Sequence, residues 1–340
     1  MGFLFHLTPN SSSGVFFNHL NSFTFIHTTM NHFLSITDYN PEQLQEILDL
    51  SLKLQNSTEQ PLTGKNVLFV FEKPSLRTKV GTESAINQLG GDVIHVDAKN
   101  VLYGDNLYPT GTQYQGREAS IDTVNNIAQW CDGIFARVYD HNELLKLAQY
   151  NKIPIVNALC DQHHPMQALA DMLTIQGIKG KEKCKITFVG DANNVAFSLT
   201  EIGLKLGYSM GFAGPEQYYW SPKRLDYLHS LAKKYGGNFE SDTDVNTILP
   251  GSDFVYADAF VSMGEEDEYE SKLKAFDGYQ VNDSLMKMTG KESYFLHCLP
   301  AHRGEEVTNE VIDADYSLVY EQAKNRMVSS KGLFTYILNS

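Results

Sequence analysis

The chain has 340 residues, 42% of them hydrophobic, with 27 Lys and Arg against 41 Asp and Glu and a formal net charge of -14. That length exceeds what one core usually fills, so two domains are expected, and no apolar run reaches the roughly eighteen residues that a membrane span needs. The acidic balance excludes a general nucleic-acid or acidic-membrane binder, so an anionic ligand requires a local basic pocket.

Residues 1–29 contain no Lys or Arg and no helical or alternating period. They fit neither a transit nor a signal peptide, and read as a disordered extension or a mis-set start ahead of Met30. Thr37 followed by DYNPEQLQEILDLSLKLQ supplies a cap, early acids and apolar residues at helical spacing, which predicts a helix. Apolar strand runs then follow at 67–72, 92–97, 133–139 and 153–159, with helical stretches such as SAINQLGG, DTVNNIAQW and NELLKLAQY between them. A second series, at 184–190, 208–214, 253–258 and 294–300, begins after the helix near HPMQALADMLTIQG. Strands alternating with helices predict an α/β fold of two doubly wound domains, each a parallel sheet flanked by helices. The expected divisions are 30–170, 171–320 and a C-terminal helix, 321–340, that crosses back to the first domain. Cys131, Cys160, Cys184 and Cys298 stand far apart without a CxxC pair, which favours a reducing compartment, expected to be the cytoplasm.

Ligands of open parallel sheets bind beyond the carboxyl ends of the strands. After the first strand stand Ser75, Leu76, Arg77, Thr78 and Lys79 at a helix start, where amides, hydroxyls and a guanidinium suit a phosphate; an ordinary capped helix start fits the same residues. Arg137 ends an apolar strand and reads either as a ligand group or as a surface or salt-bridge residue. In His163-His164-Pro165-Met166-Gln167, Pro165 can open a helix and leave His164 and Gln167 at its start. The paired histidines lack a carboxylate or cysteine at ligand spacing, so no metal is expected. His297-Cys298-Leu299-Pro300 ends another strand, with Cys298 readable as a nucleophile activated by His302 or as a buried thiol whose backbone serves the site. FVGDANN resembles a dinucleotide turn but lacks the second and third glycines, so an oxidoreductase is disfavoured.

Together, in this order, Ser75-Leu76-Arg77-Thr78, His164-Pro165-Met166-Gln167 and His297-Cys298-Leu299-Pro300 resemble the carbamoyltransferase family, from about residue 31 to the end. The resemblance implies that Ser75, Leu76, Arg77, Thr78, Gln113, Arg137, His164, Gln167 and Arg326 hold carbamoyl phosphate. Gln113 would come from a neighbouring subunit of a trimer. Arg137, His164, Gln167, Cys298 and Arg326 are the implied catalytic residues, with no cofactor and no covalent intermediate. The intact set of polar groups disfavours a family-like protein that only binds.

The segment Asp258-Ala259-Phe260-Val261-Ser262-Met263-Gly264 resembles the acceptor motif of the family's ornithine enzymes. By that resemblance Asn194, Asp258, Ser262, Met263, Cys298 and Leu299 bind ornithine, and the loop bearing Ser262 closes over the site. A putrescine enzyme is the alternative, since Asp258 alone can hold a simple amine. Glu265 to Glu268 fit a diamine-attracting rim or a solvated face.

Overall fold

The computed structural model describes residues 31–102, 118–261 and 266–339. The expectations for residues 1–29, Gln113, Ser262 and Met263, and for Glu265, fall outside them.

The first helix, α1 (Pro41–Leu54), starts later than its sequence suggested. Its cap is Asn40, whose side chain accepts the Gln43 N–H while Gln43 accepts the Asn40 N–H in return, satisfying two orphan amides at once. Thr37 belongs instead to a short 3-10 turn, Ile36–Asp38, and donates its hydroxyl to Glu201 at 2.8 Å.

Then follow β1 (Asn66–Phe71), α2 (Leu76–Gln88), β2 (Asp92–Asp97), α3 (Ser120–Ile127), β3 (Gly133–Arg137), α4 (His141–Ala148), β4 (Ile155–Leu159) and α5 (Pro165–Lys179). The four strands form one parallel sheet in the order β2-β1-β3-β4. β1, β3 and β4 are almost wholly buried, which is why they read as continuous apolar runs.

The second sheet uses β5 (Lys185–Val189), α6 (Asn194–Lys205), β6 (Ser209–Ala213), α7 (Pro222–Tyr235), β7 (Asn238–Asp242), α8 (Val245–Ile248), β8 (Phe254–Ala257), α9 (Tyr269–Ala275), α10 (Asp283–Lys287) and β9 (Tyr294–His297). Its strands are parallel in the order β7-β6-β5-β8-β9. β7 has no counterpart in the sequence reading, because NFESD is a polar edge strand with one buried side chain, Phe239.

After α11 (Asn309–Ile312) comes α12 (Val319–Leu338), the C-terminal helix. It leaves the second sheet and returns across α5 to α1 and α2. A Cβ at Gly332 would stand 2.6 Å from the Ile47 carbonyl and collide with Ser51, so α12 lies against α1 at a distance only glycine permits. Lys331 donates to the Leu54 carbonyl at 3.2 Å, and Thr82 and Ser330 share a hydrogen bond at 3.2 Å. The order of strands reverses between β1 and β3 in one sheet and between β5 and β8 in the other, the two places where such sheets open a crevice.

Candidate active site

The crevice of the first sheet is lined from β1, β3 and β4. Ser75 caps α2, and its hydroxyl accepts the Thr78 N–H at 3.4 Å. This leaves other first-turn amides of α2 available to an anion. Leu76 is 74% exposed, so its side chain contributes nothing to a buried site and only its backbone can. Arg77 is half-buried and Thr78 buried. Arg137, at the end of β3, is buried, and among the described residues it has no carboxylate partner and its Nε meets no acceptor; the surface reading of this residue is therefore wrong.

His164 is the N-cap position of α5, and Pro165 opens the helix. The His164 backbone N–H donates to the Ser198 hydroxyl of α6 at 2.9 Å, tying the start of α5 to the second sheet's helix layer. Burial, reinforced by Arg326, Arg137 and Arg77, holds its imidazole well below the ordinary histidine range, so it is neutral at physiological pH. Its Nδ1 is buried without a hydrogen-bond partner among the described residues. The adjacent His163 turns away, packing edge-on to His141 with ring centroids 5.0 Å apart; burial pushes it down to about 3.

From α12, Arg326 donates through Nη1 to Gln167 Oε1 at 2.6 Å and through Nη2 to Thr78 Oγ1 at 3.1 Å. Its Nε has no hydrogen-bond partner among the described residues. Burial holds both Arg137 and Arg326 down to about 10, helped at Arg137 by Arg326 and Arg77 and opposed at Arg326 chiefly by Asp171. An acidic protein thus concentrates three guanidiniums, a neutral imidazole and a helix start at one strand-end crevice. Unpaired buried donors of this kind are rare without a ligand to meet them.

The facing crevice is built by β5, β8 and β9. Asp258, just beyond β8, accepts from Asn193 Nδ2 at 2.9 Å and from the Cys298 thiol at 3.0 Å. Asn193, which caps α6, was not singled out from the sequence; the run of two asparagines after a strand was the available signal. Asn194 donates to the Cys160 carbonyl of the first domain region at 2.6 Å. Asp191 pairs with the buried Lys272 at 2.7 Å, tying the β5 end to α9.

Cys298 lies beyond β9. Burial, followed by Asp258, pushes its thiol well above the ordinary range, and the thiol acts as a donor to that carboxylate. His302 is exposed and pairs with Glu305 at 3.4 Å, so the arrangement of a thiolate with His302 as base is absent here. Leu299 adopts φ +57°, with its N–H donating to His297 Nδ1 at 2.9 Å and His297 Nε2 meeting Glu306 at 3.1 Å. Among the described residues, metal-ligating atoms converge at Asp258, His297 and Cys298 and at His302, Glu305 and Glu306. In the first group the carboxylate, thiol and ring atoms already hydrogen-bond within the protein.

Fold and site define a two-sheet α/β protein with an arginine-rich crevice at the strand ends of one sheet and a carboxylate-bearing one at those of the other. Residues 31–177 match the family model described as aspartate/ornithine carbamoyltransferase, carbamoyl-P binding domain, and residues 182–337 match its Asp/Orn binding domain. The chain is 39% identical over 312 residues to an ornithine carbamoyltransferase of Symbiobacterium thermophilum, covering 90% of this chain and 97% of that one. The solved ornithine carbamoyltransferase from Pyrococcus furiosus superposes with TM-score 0.83 at 37% identity, over 91% of this chain and 97% of that one. An anabolic ornithine carbamoyltransferase from Campylobacter jejuni gives TM-score 0.83 at 32% identity, over 91% and 99%. The chain belongs to the aspartate/ornithine carbamoyltransferase family.

Proposed function

We propose that this chain is an enzyme that transfers the carbamoyl group of carbamoyl phosphate to the δ-amine of L-ornithine, giving L-citrulline and phosphate. The observation that carries this reading is that Arg137 Nε, His164 Nδ1 and Arg326 Nε are buried with no hydrogen-bond partner among the described residues, close to the α2 start that Arg326 reaches through Thr78.

The phosphate takes the α2 amides with Ser75, Arg77 and Thr78, and the Leu76 contribution is its amide. Arg137 and Arg326 neutralise the leaving phosphate as its charge develops. His164, Thr78 and Arg137 polarise the carbamoyl oxygen. A neutral imidazole donates a hydrogen bond there without adding to the crowd of positive charge. Gln167 orients the carbamoyl amide through Oε1, which already faces Arg326.

On the acceptor side, Asp258 and Ser262 receive the α-ammonium, and Asn194 with the Met263 amide receives the α-carboxylate. The carbonyls of Cys298 and Leu299 receive the δ-amine. That amine attacks the carbamoyl carbon after losing a proton; the new C–N bond forms as the C–O bond to phosphate breaks. No covalent enzyme intermediate is needed, which agrees with a Cys298 thiol held protonated. The donor is assigned to residues 30–170 and the acceptor to 171–320, with the C-terminal helix supplying Arg326.

The enzyme works as a trimer in which Gln113 reaches a neighbour's site. Exposed Leu76 and Val80 on α2 and Ile94 on the adjoining edge strand β2 give an assembly its apolar contact. The free cysteines suit a cytoplasmic location. No described helix is long and apolar enough to cross a membrane.

The test is a panel of ornithine, putrescine, aspartate and N-acetylornithine as acceptors with carbamoyl phosphate. Citrulline formation from ornithine is expected to dominate, and a preference for putrescine overturns the acceptor assignment.

A further inference from the structure

Asp171 was not among the sequence candidates, although it stands one helical turn beyond Gln167 on α5. It is fully buried. Its Oδ1 accepts from Gln167 Nε2 at 2.8 Å and from Gln322 Nε2 at 2.8 Å. Gln322 Oε1 in turn accepts the His297 N–H at 2.9 Å. One carboxylate oxygen therefore joins α5 to α12 and, through Gln322, to the last residue of β9, immediately before Cys298.

The chemistry of the partners fixes which way both amides point. A side-chain amide has nearly the same shape when its oxygen and nitrogen are exchanged, so shape alone leaves its polarity open. An ionised carboxylate only accepts, while a guanidinium and a backbone N–H only donate. Gln167 lies between Asp171 and Arg326, so its NH2 must face the former and its oxygen the latter. Gln322 lies between Asp171 and the His297 N–H, and obeys the same rule. Asp171 is also the strongest countercharge acting on Arg326, the residue that reaches Thr78 at the α2 start.

We propose that Asp171 is a positioning residue that fixes the polarity of Gln167, so that the donor site accepts the carbamoyl NH2, and that holds this amide in register with the acceptor-side end of β9. The inference rests on the carbamoyl-transfer reading above and names the group that enforces its donor specificity. A methyl group in place of the carbamoyl NH2 gains nothing from an accepting Gln167 oxygen. Acetyl phosphate, which carries that methyl, is therefore the discriminating probe.

Charged and titratable groups surround the carboxylate from each packed element: Arg326 on α12, Tyr256 on β8 and Cys298 beyond β9. Burial pushes Asp171 up to about 6, against the opposing hydrogen bonds from Gln322 and Gln167. The two amide N–H groups that converge on its Oδ1 favour the ionised, accepting form against that burial.

The experiment measures KM for carbamoyl phosphate and the inhibition constant of acetyl phosphate in the full-length enzyme. Variants are Asp171→Ala, Gln167→Ala and the two combined, with Asp171→Asn as the volume-preserving control should Asp171→Ala fold poorly. Asp171→Ala is expected to raise the carbamoyl phosphate KM by about tenfold while moving the acetyl phosphate constant by less than about threefold. The double variant is expected to be no worse than Gln167→Ala, because Asp171 acts through Gln167. Asp171→Asn, whose amide can present either end, shows the same selective loss at about threefold. Equal weakening of both phosphates, additive losses in the double variant, or unchanged constants in Asp171→Asn overturn the positioning role. Failure of the unsubstituted enzyme to form citrulline overturns the functional reading and this inference with it; an active parent with unaltered variants overturns the inference alone.

Discussion

Replacing Arg326 by Met separates what this side chain costs the fold from what it contributes to the site. Burial, then Arg77, lowers its guanidinium from the ordinary value to about 10. A drop of roughly two and a half pH units, at about 1.4 kcal/mol per pH unit, means that holding this charge costs the unliganded protein roughly 3–4 kcal/mol. The folded value lies below the unfolded one, so the penalty is present in full at neutral pH and fades only as pH rises past 10. Against its relief stand the hydrogen bonds to Gln167 and Thr78, about 1 kcal/mol each. Met also strips the buried Asp171 of its guanidinium countercharge, a loss that offsets the remaining gain, so the unliganded melting temperature is expected to stay within a few degrees of the parent's. Binding moves the other way: one charge-assisted hydrogen bond lost to the phosphate costs about 1.5–3 kcal/mol, or roughly 10- to 100-fold in affinity. Calorimetric melting with and without carbamoyl phosphate, together with titration of that ligand, measures both. A Met variant that melts well below the parent, or one that keeps the full ligand-induced rise in melting temperature, refutes the reasoning.

Two further outcomes follow from the acceptor crevice. Asp258→Asn keeps the shape that meets Asn193 and Cys298 but removes the negative charge. Its ornithine KM should rise by about tenfold or more while the carbamoyl phosphate KM stays within about threefold; steady-state kinetics with each substrate varied separates the two, and equal effects refute the division between crevices. Cys298→Ala removes one donor to Asp258, so kcat/KM should fall by about five- to tenfold rather than vanish. Complete loss of turnover, or rapid alkylation of Cys298 at neutral pH, would restore the nucleophile that the protonated thiol argues against.

Much of the architecture was legible in the chain because burial writes itself into sequence. β1, β3, β4 and β8 are enclosed on both faces and appear as unbroken apolar runs. β7, an edge strand with polar neighbours, carried no such signal. The cap of α1 illustrates a nearer limit: Thr37 and Asn40 both suit a helix start, and the choice fell to Asn40 because Pro41 fits the first turn and Gln43 closes the reciprocal bond. Thr37 was taken by Glu201, 164 positions away.

The residue types proposed for carbamoyl transfer, and their placement after strands, were therefore determined by the sequence alone. Ser75, Arg77, Arg137, His164 and Asp258 each follow or end a run with a period of its own. What only the tertiary structure decided is which groups meet across long separations, and hence their charge states. Arg326 reaches Gln167 and Thr78 across 159 and 248 positions. Asp171 meets Gln322 across 151. Local pattern fixes which face of an element is buried, but a hydrogen bond between α5 and α12 depends on how two helices pack. The neutral His164 and the protonated Cys298 thiol depend on the same packing, because desolvation and neighbouring charge exist only once the crevice is assembled.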